Sequence, residues 1–259
     1  MSIAAVLDLA VDEAVVVHDS NKLALRLLPS DVLPRVAHVG QHVAQFEVEL
    51  AQRSAETEGP VGALDPRVQA RVYERDGFVV TLWTYYEPGV PVEASPADYA
   101  DALVRRHAGM RKVEVAAPHV ADRVAGAQQL VGSRDRTPAL SGVDRELLSN
   151  TLRDRRRAIV DWGAPEQLLH GEPHPGNVLS TMSGLRFIDL ETCCRGPVEF
   201  DLAYVPVEVS ELYPDVDRDL LSECQVLALA MVAAWRWDAD DQLRPQSGSS
   251  EPDPRCPER

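Results

Sequence analysis

The sequence predicts an α+β fold in two lobes, a small antiparallel sheet followed by a larger, mainly helical part. Three observations carry this reading. The first third of the chain alternates short apolar runs with turn residues, the pattern changes to helical spacing after Glu87-Pro88-Gly89, and 259 residues suffice for two modest lobes.

Ala14 to Val17, Leu23 to Leu28 and Val32 to Ala37 read as strands, separated by the polar turns Asp19-Ser20-Asn21 and Pro29-Ser30-Asp31. From His38 to about Glu58 no proline interrupts the chain. Val43, Phe46, Leu50 and Arg53 recur there at helical spacing until Gly59-Pro60 ends the run. Val68 to Glu74 and Phe78 to Thr84 add two strands joined by the Asp76-Gly77 hairpin signal, which completes a five-stranded sheet with one helix.

In the second lobe, Ser95-Pro96 opens a helix through Lys112 with Tyr99, Leu103, His107 and Met110 along one side. Residues 144–160 form another helix around Leu148, Leu152 and Ile159, and Asp217 to Trp237 a third with Leu220, Cys224, Leu227, Met231 and Trp235 inward. From Leu243 onward proline, serine and charge dominate, too little apolar surface to offset the entropy of ordering. The expected organisation is a first lobe over 1–84, a second over 85–242 and a disordered tail over 243–259.

The charge balance narrows the function classes. With 26 basic and 41 acidic residues, a formal charge of −15, the chain lacks the cationic surplus that gripping nucleic-acid phosphates requires, and its field attracts cationic ligands instead. The apolar stretch from Cys224 to Trp235 falls short of the roughly 20 residues of a spanning helix. The N-terminal run carries Asp8 and no basic segment, so neither a membrane anchor nor a signal peptide is expected, and a cytoplasmic location is. Cys193, Cys194, Cys224 and Cys256 lack metal-binding spacing and read as reduced structural thiols. The basic run Arg153 to Arg157 reads as a solvated helix face.

The chemistry is concentrated between Leu168 and Tyr204. His170, Glu172, Asn177, Asp189 and Asp201 fall in this stretch, and an apolar hairpin between Asn177 and Asp189 brings an amide and a carboxylate together. Such a pair suits Mg²⁺, a hard cation that takes one or two protein oxygens beside water and phosphate. A further carboxylate must orient the acceptor hydroxyl, and Glu172 lies five residues before Asn177.

That offset, with the later aspartate, is the one found in protein kinases. His170-Gly171-Glu172 through Asn177, then Ile188-Asp189-Leu190-Glu191, then Phe200-Asp201-Leu202-Ala203 resemble the aminoglycoside phosphotransferase family. The resemblance runs from Asn21 to about Asp241. It implies a protein-kinase-like fold, ATP or GTP with Mg²⁺ as cofactors, and a small-molecule hydroxyl as acceptor, a cationic aminoglycoside or other basic antibiotic being one class. It also implies Glu172 as catalytic base, His170 as the residue ordering its loop, Asn177 and Asp189 as metal ligands, and Asp201 as a brace beneath the loop.

For the first lobe the resemblance implies Arg35 as the phosphate-binding cation and Glu47 as its partner, with Glu49 competing for that place. Ser20 in the first turn would lie over the phosphates, and Leu82-Trp83-Thr84 would be the hinge whose backbone meets adenine. Two departures stand out: no G-x-G-x-x-G covers the phosphates, and Glu172 occupies a position where the pattern usually has aspartate, one methylene or about 1.5 Å shorter. Both departures point to the alternative, a nucleotide-binding protein of this fold without transferase activity. The intact Asn177 and Asp189 pair points to an enzyme.

Overall fold

The computed structural model describes residues 3–20, 22–39, 43–87 and 94–239. A short helix α1 (Ile3–Val6) precedes strands β1 (Val11–Asp19), β2 (Leu23–Pro29) and β3 (Val32–His38), helix α2 (Val43–Ala55), and strands β4 (Tyr73–Arg75) and β5 (Phe78–Thr84). These strands form one antiparallel sheet in the order β1-β2-β3-β5-β4. In β3 and β5 the register sets Arg35 opposite Thr81 and Leu33 opposite Trp83. The face carrying Leu27, Val32, Val80 and Leu82 packs under Ile3, Leu7 and Leu9, so the opposite face is left for the cleft.

The second part is helical: α3 (Pro96–Met110), α4 (Val120–Gly132), α5 (Gly142–Trp162), α6 (Val198–Leu202), α7 (Val207–Leu212) and α8 (Arg218–Arg236). Ser95 caps α3, its side chain accepting from the Asp98 amide, and Tyr99, Leu103, His107 and Met110 are buried along its inner side. Helices α4, α5 and α8 share one apolar core with Val124, Leu152, Ile159, Cys224, Leu227 and Met231 inside it. Two short strand pairs sit between the helices, β6 (Gln167–Leu169) with β9 (Cys194–Gly196) and β7 (Val178–Thr181) with β8 (Gly184–Phe187).

The segment after α2 joins the two parts. Gly62 donates to the Phe187 carbonyl at 2.8 Å and Phe187 donates to the Pro60 carbonyl at 3.0 Å, so residues 60–62 lie along the β7–β8 hairpin. Beyond them the Asp65 amide donates to the Leu82 carbonyl at 3.0 Å and the Thr84 amide to the Ala63 carbonyl at 2.9 Å.

Those bonds explain two differences from the sequence reading. The fourth strand is Tyr73–Arg75 rather than Val68 to Glu74, because residues 63–65 already occupy the edge of β5 that a longer strand would need. Helix α2 starts at Val43 rather than His38, which pairs with Phe78 as the last residue of β3. The sequence reading also missed α4, a helix buried along Val120, Val124, Ala127 and Val131 and held at its start by a reciprocal His119–Asp122 cap. The tail expected over 243–259 lies outside the described residues, and α8 ends at Arg236 with Trp237 as its cap.

Cys193, Cys194 and Cys224 are buried free thiols. In the basic run, Arg153, Arg155 and Arg157 are paired with Asp154, Glu223 and Asp161. No helix among the described residues is long and apolar enough to cross a membrane.

Candidate active site

The loop that carries His170 and Glu172 starts where β6 ends. Asp201 in α6, fully buried, accepts from the His170 amide at 2.8 Å, the Gly171 amide at 2.7 Å and His107 Nε2 at 2.9 Å. Burial alone would raise the Asp201 carboxyl, but the His107 hydrogen bond and these amides outweigh it and hold the group below the usual carboxylate range. One anion thus fixes the backbone of the loop. His170 is buried beside it, and its Nε2 meets the Ile188 carbonyl at 2.9 Å, tying the loop to the residue before Asp189. Burial, offset only in part by Asp201, pulls the His170 imidazole down to about 4, so it is neutral near pH 7.

Gly171 holds φ near +92°, and a Cβ there would run into the Thr192 carbonyl and the Arg123 guanidinium, so the tight approach of two loops requires glycine. Asn177 Nδ2 donates to the Glu172 carbonyl at 3.0 Å and the Asn177 carbonyl accepts from the Ile188 amide at 2.9 Å. The β7–β8 hairpin therefore delivers Asn177 and Asp189 side by side at its open end. Asp189 adopts a left-handed φ of 63°, and its carboxylate faces Arg35 and Lys22 of the first lobe.

Both residues line a cleft of about 410 Å³ between the sheet and the hairpin, along with Ser20, Lys22, Leu33, Arg35, Trp83, Tyr85 and Glu191. Arg35 ion-pairs with Glu47 at 2.9 Å and with Asp189. Glu49, the competitor for the helix position, is turned to Arg53 instead. Burial raises Asp189, but the charges of Arg35 and Lys22 outweigh it and leave its carboxyl below the usual range. Burial and the neighbouring Asp189 charge push Glu191 up.

Lys22 escaped the sequence reading. Its Nζ lies 2.6 Å from Glu47, 2.5 Å from Glu191 and 3.8 Å from Asp189. It enters the cleft from the turn before β2, where a glycine-rich loop would otherwise provide backbone donors. One signal was present: Lys22 and Lys112 are the only lysines in a chain that otherwise uses arginine.

The hinge expectation needs correction. Strand β5 runs through Thr84, and the Leu82 carbonyl and Thr84 amide are bonded to residues 63–65. Leu82 is packed with Leu27 and Val80 on the far face of the sheet. Only Trp83 and Thr84 of the three reach the cleft, and the chain first leaves the sheet at Tyr85 and Tyr86, which line it next. Glu172 lies just outside the cleft lining, 25 % exposed and paired with Arg123 of α4. His174 caps the turn that follows it through the Gly176 amide at 3.1 Å.

The family resemblance implies Mg²⁺, and the residues present fit it. Asn177 Oδ1 and the second carboxylate oxygen of Asp189 have no hydrogen-bond partner among the described residues, and two protein oxygens suffice for this ion.

The profile of the phosphotransferase enzyme family matches residues 12–223. The chain belongs to that family. Its fold is shared with the GDP and kanamycin complex of APH(2")-IIia at a TM-score of 0.67 and 14 % identity, over 88 % of this chain and 86 % of that one. A putative fructosamine-3-kinase from Haemophilus somnus 129PT gives a TM-score of 0.67 at 10 % identity over 91 % and 90 %. Choline kinase LicA from Streptococcus pneumoniae gives 0.64 at 14 % over 91 % and 87 %. No curated protein sequence matches the chain. The family makes this member a phosphotransferase, on a fold that it shares with these kinases.

Proposed function

We propose that this phosphotransferase moves the γ-phosphoryl group of ATP or GTP to a hydroxyl of a small, cationic molecule, with Asn177 and Asp189 as ligands of Mg²⁺. The observation that carries the reading is the delivery of Asn177 and Asp189 to one end of a nucleotide-sized cleft, with Glu172 tied by hydrogen bond to Asn177. The family match and the GDP named in the complex of a fold relative support nucleotide use.

In this reading Lys22 and Arg35 face the phosphates, Glu47 holds both cations, and Trp83 with the Tyr85–Tyr86 segment receives the base. Mg²⁺, when bound, supplies positive charge across the phosphate oxygens. Glu172 orients the acceptor hydroxyl and takes its proton as the acceptor oxygen bonds to phosphorus and the bond to the β-phosphate oxygen breaks, releasing the nucleoside diphosphate. Asp201 and His170 keep the loop in place. The formal charge of −15 favours a cationic acceptor, aminoglycosides and amino alcohols being such classes, and in this reading the nucleotide is the cytoplasmic pool.

The ion pair of Glu172 with Arg123 favours a second reading, a nucleotide-binding protein that transfers nothing. One experiment separates the two. The chain is incubated with MgATP or MgGTP and a panel of aminoglycosides, amino alcohols and sugar amines, and products are read by mass. A phosphorylated acceptor with stoichiometric nucleoside diphosphate is the expected result. Protection from thermal unfolding by nucleotide, with no acceptor modified across the panel, would contradict it.

A further inference from the structure

Arg123 is a largely covered cation, 13 % exposed, whose guanidinium touches three parts of the site. Nη1 donates to the Gly171 carbonyl at 3.0 Å and to the Thr192 carbonyl at 3.2 Å, and Nη2 pairs with Oε1 of Glu172. The guanidinium carbon also lies 5.8 Å over the Phe200 ring. The same side chain therefore spans the loop that carries Glu172 and the loop that follows Asp189, and it fills the space that a side chain at Gly171 would need. Among the described residues Glu172 is its one carboxylate partner.

The clamp takes a single oxygen of Glu172 and leaves the other without a hydrogen bond among the described residues, so an acceptor hydroxyl still has an oxygen to meet. It also makes the length of the side chain consequential. Two backbone carbonyls and an aromatic ring fix the guanidinium, so an aspartate on the same backbone would stop about 1.5 Å short of it. A buried cation left without its anion is costly, which couples the identities of the two residues.

We propose that Arg123 is a positioning residue for phosphoryl transfer: it holds the Glu172 carboxylate in place for the acceptor, and glutamate stands at position 172 because Arg123 is matched to its length. This rests on Glu172 being the proton acceptor of the proposed reaction.

The test uses release of inorganic phosphate from MgATP, with water as the acceptor whose oxygen bonds to phosphorus while the nucleoside diphosphate leaves. The variants are Arg123→Gln, Arg123→Lys, Glu172→Gln, Glu172→Asp and the double change to glutamine. Arg123→Gln should lower kcat ten- to a hundredfold, by about the amount a 1 Å misplacement costs, with KM for nucleotide within about threefold of the parent. In the Glu172→Gln background the same change should cost almost nothing further, because the group through which it acts is gone. Arg123→Lys should recover part of the loss.

Equal fractional losses in both backgrounds, or a loss carried by KM, would overturn the proposal. Glu172→Asp keeps the charge and the clamp residue, and should lose at least about tenfold in kcat; parental activity there would also overturn the match in length. Urea unfolding of the same variants without nucleotide gives a reading independent of turnover: the double change should cost clearly less than the two single changes added, and strict additivity would count against the pair. A parent chain that binds MgATP yet neither releases phosphate nor modifies any acceptor of the panel overturns this proposal together with the transfer reading. A parent that turns over while its variants follow the wrong pattern overturns this proposal alone.

Discussion

Inside the cleft the carboxylates share their cations, whereas outside its lining Glu172 has Arg123 to itself. Glu47 and Asp189 each meet both Lys22 and Arg35, and Glu191 shares Lys22 with them. Glu172 has one ion-pair partner among the described residues, and that partner is locked by two carbonyls. A shared network can give up one member and redistribute the rest. An exclusive pair cannot, so it suits a group that must keep one geometry through the reaction.

The sharpest way to break this comparison is at Asp189, which belongs to the shared network and keeps one carboxylate oxygen without a hydrogen bond among the described residues. Asp189→Ala is expected to abolish the enhancement of nucleotide affinity by Mg²⁺ and to lower turnover by on the order of a thousandfold, while affinity for free nucleotide changes little. Titration with ATP in the presence and absence of Mg²⁺ checks it. An unchanged magnesium effect would remove Asp189 from the ligand set.

The sharing itself is tested at Glu47, which is 2 % exposed and held by two cations. Lys22→Ala or Arg35→Ala leaves one partner, and each should cost roughly 1 kcal/mol in urea unfolding. Removing both strands a buried carboxylate and should cost about 3 to 5 kcal/mol, well above the sum of the singles. Additive losses would show that the two cations do not substitute for one another.

A smaller effect comes from the loop on which Glu172 sits. His170 has its imidazole at about 4 in the folded chain, against about 6.5 when unfolded, so below pH 6.5 the unfolded state takes up a proton that the folded state refuses. Its contribution to stability is therefore intact above about pH 6.5 and is lost as pH falls toward 4. Between pH 7 and pH 5 the loss should be about 2 kcal/mol, and His170→Gln should remove that part of the slope in urea unfolding measured at the two values. An identical slope in the variant would show that His170 titrates normally.

How much of this was legible in the sequence follows the distance over which each contact forms. His170, Glu172 and Asn177 lie on one loop, and Asp189 follows through a two-stranded hairpin, so spacing along the chain already implied their meeting. Lys22 reaches Glu191 and Arg123 reaches Glu172 only through the tertiary fold, and neither pairing leaves a periodic trace. The strands β2, β3 and β5 were legible because short apolar runs between turn residues specify them locally. Strand β4 and the hinge were misjudged for one shared reason, the return of residues 63–65 along the edge of β5, which depends on docking against the β7–β8 hairpin. Helix α4 was within reach of the sequence, since Val120, Val124, Ala127 and Val131 keep helical spacing. Reading it would have placed Arg123 beside the buried stripe.

The most direct test of the account is Glu172→Gln, which keeps the side-chain volume and an oxygen for Arg123 while removing the charge that draws the proton. With an acceptor identified from the panel, turnover should fall a hundredfold or more while the nucleotide dissociation constant stays within a few-fold of the parent, as expected for an interaction made mainly in the transition state. Full phosphoryl transfer by the variant to that same acceptor would contradict the account, and would leave Glu172 as no more than the structural partner of Arg123.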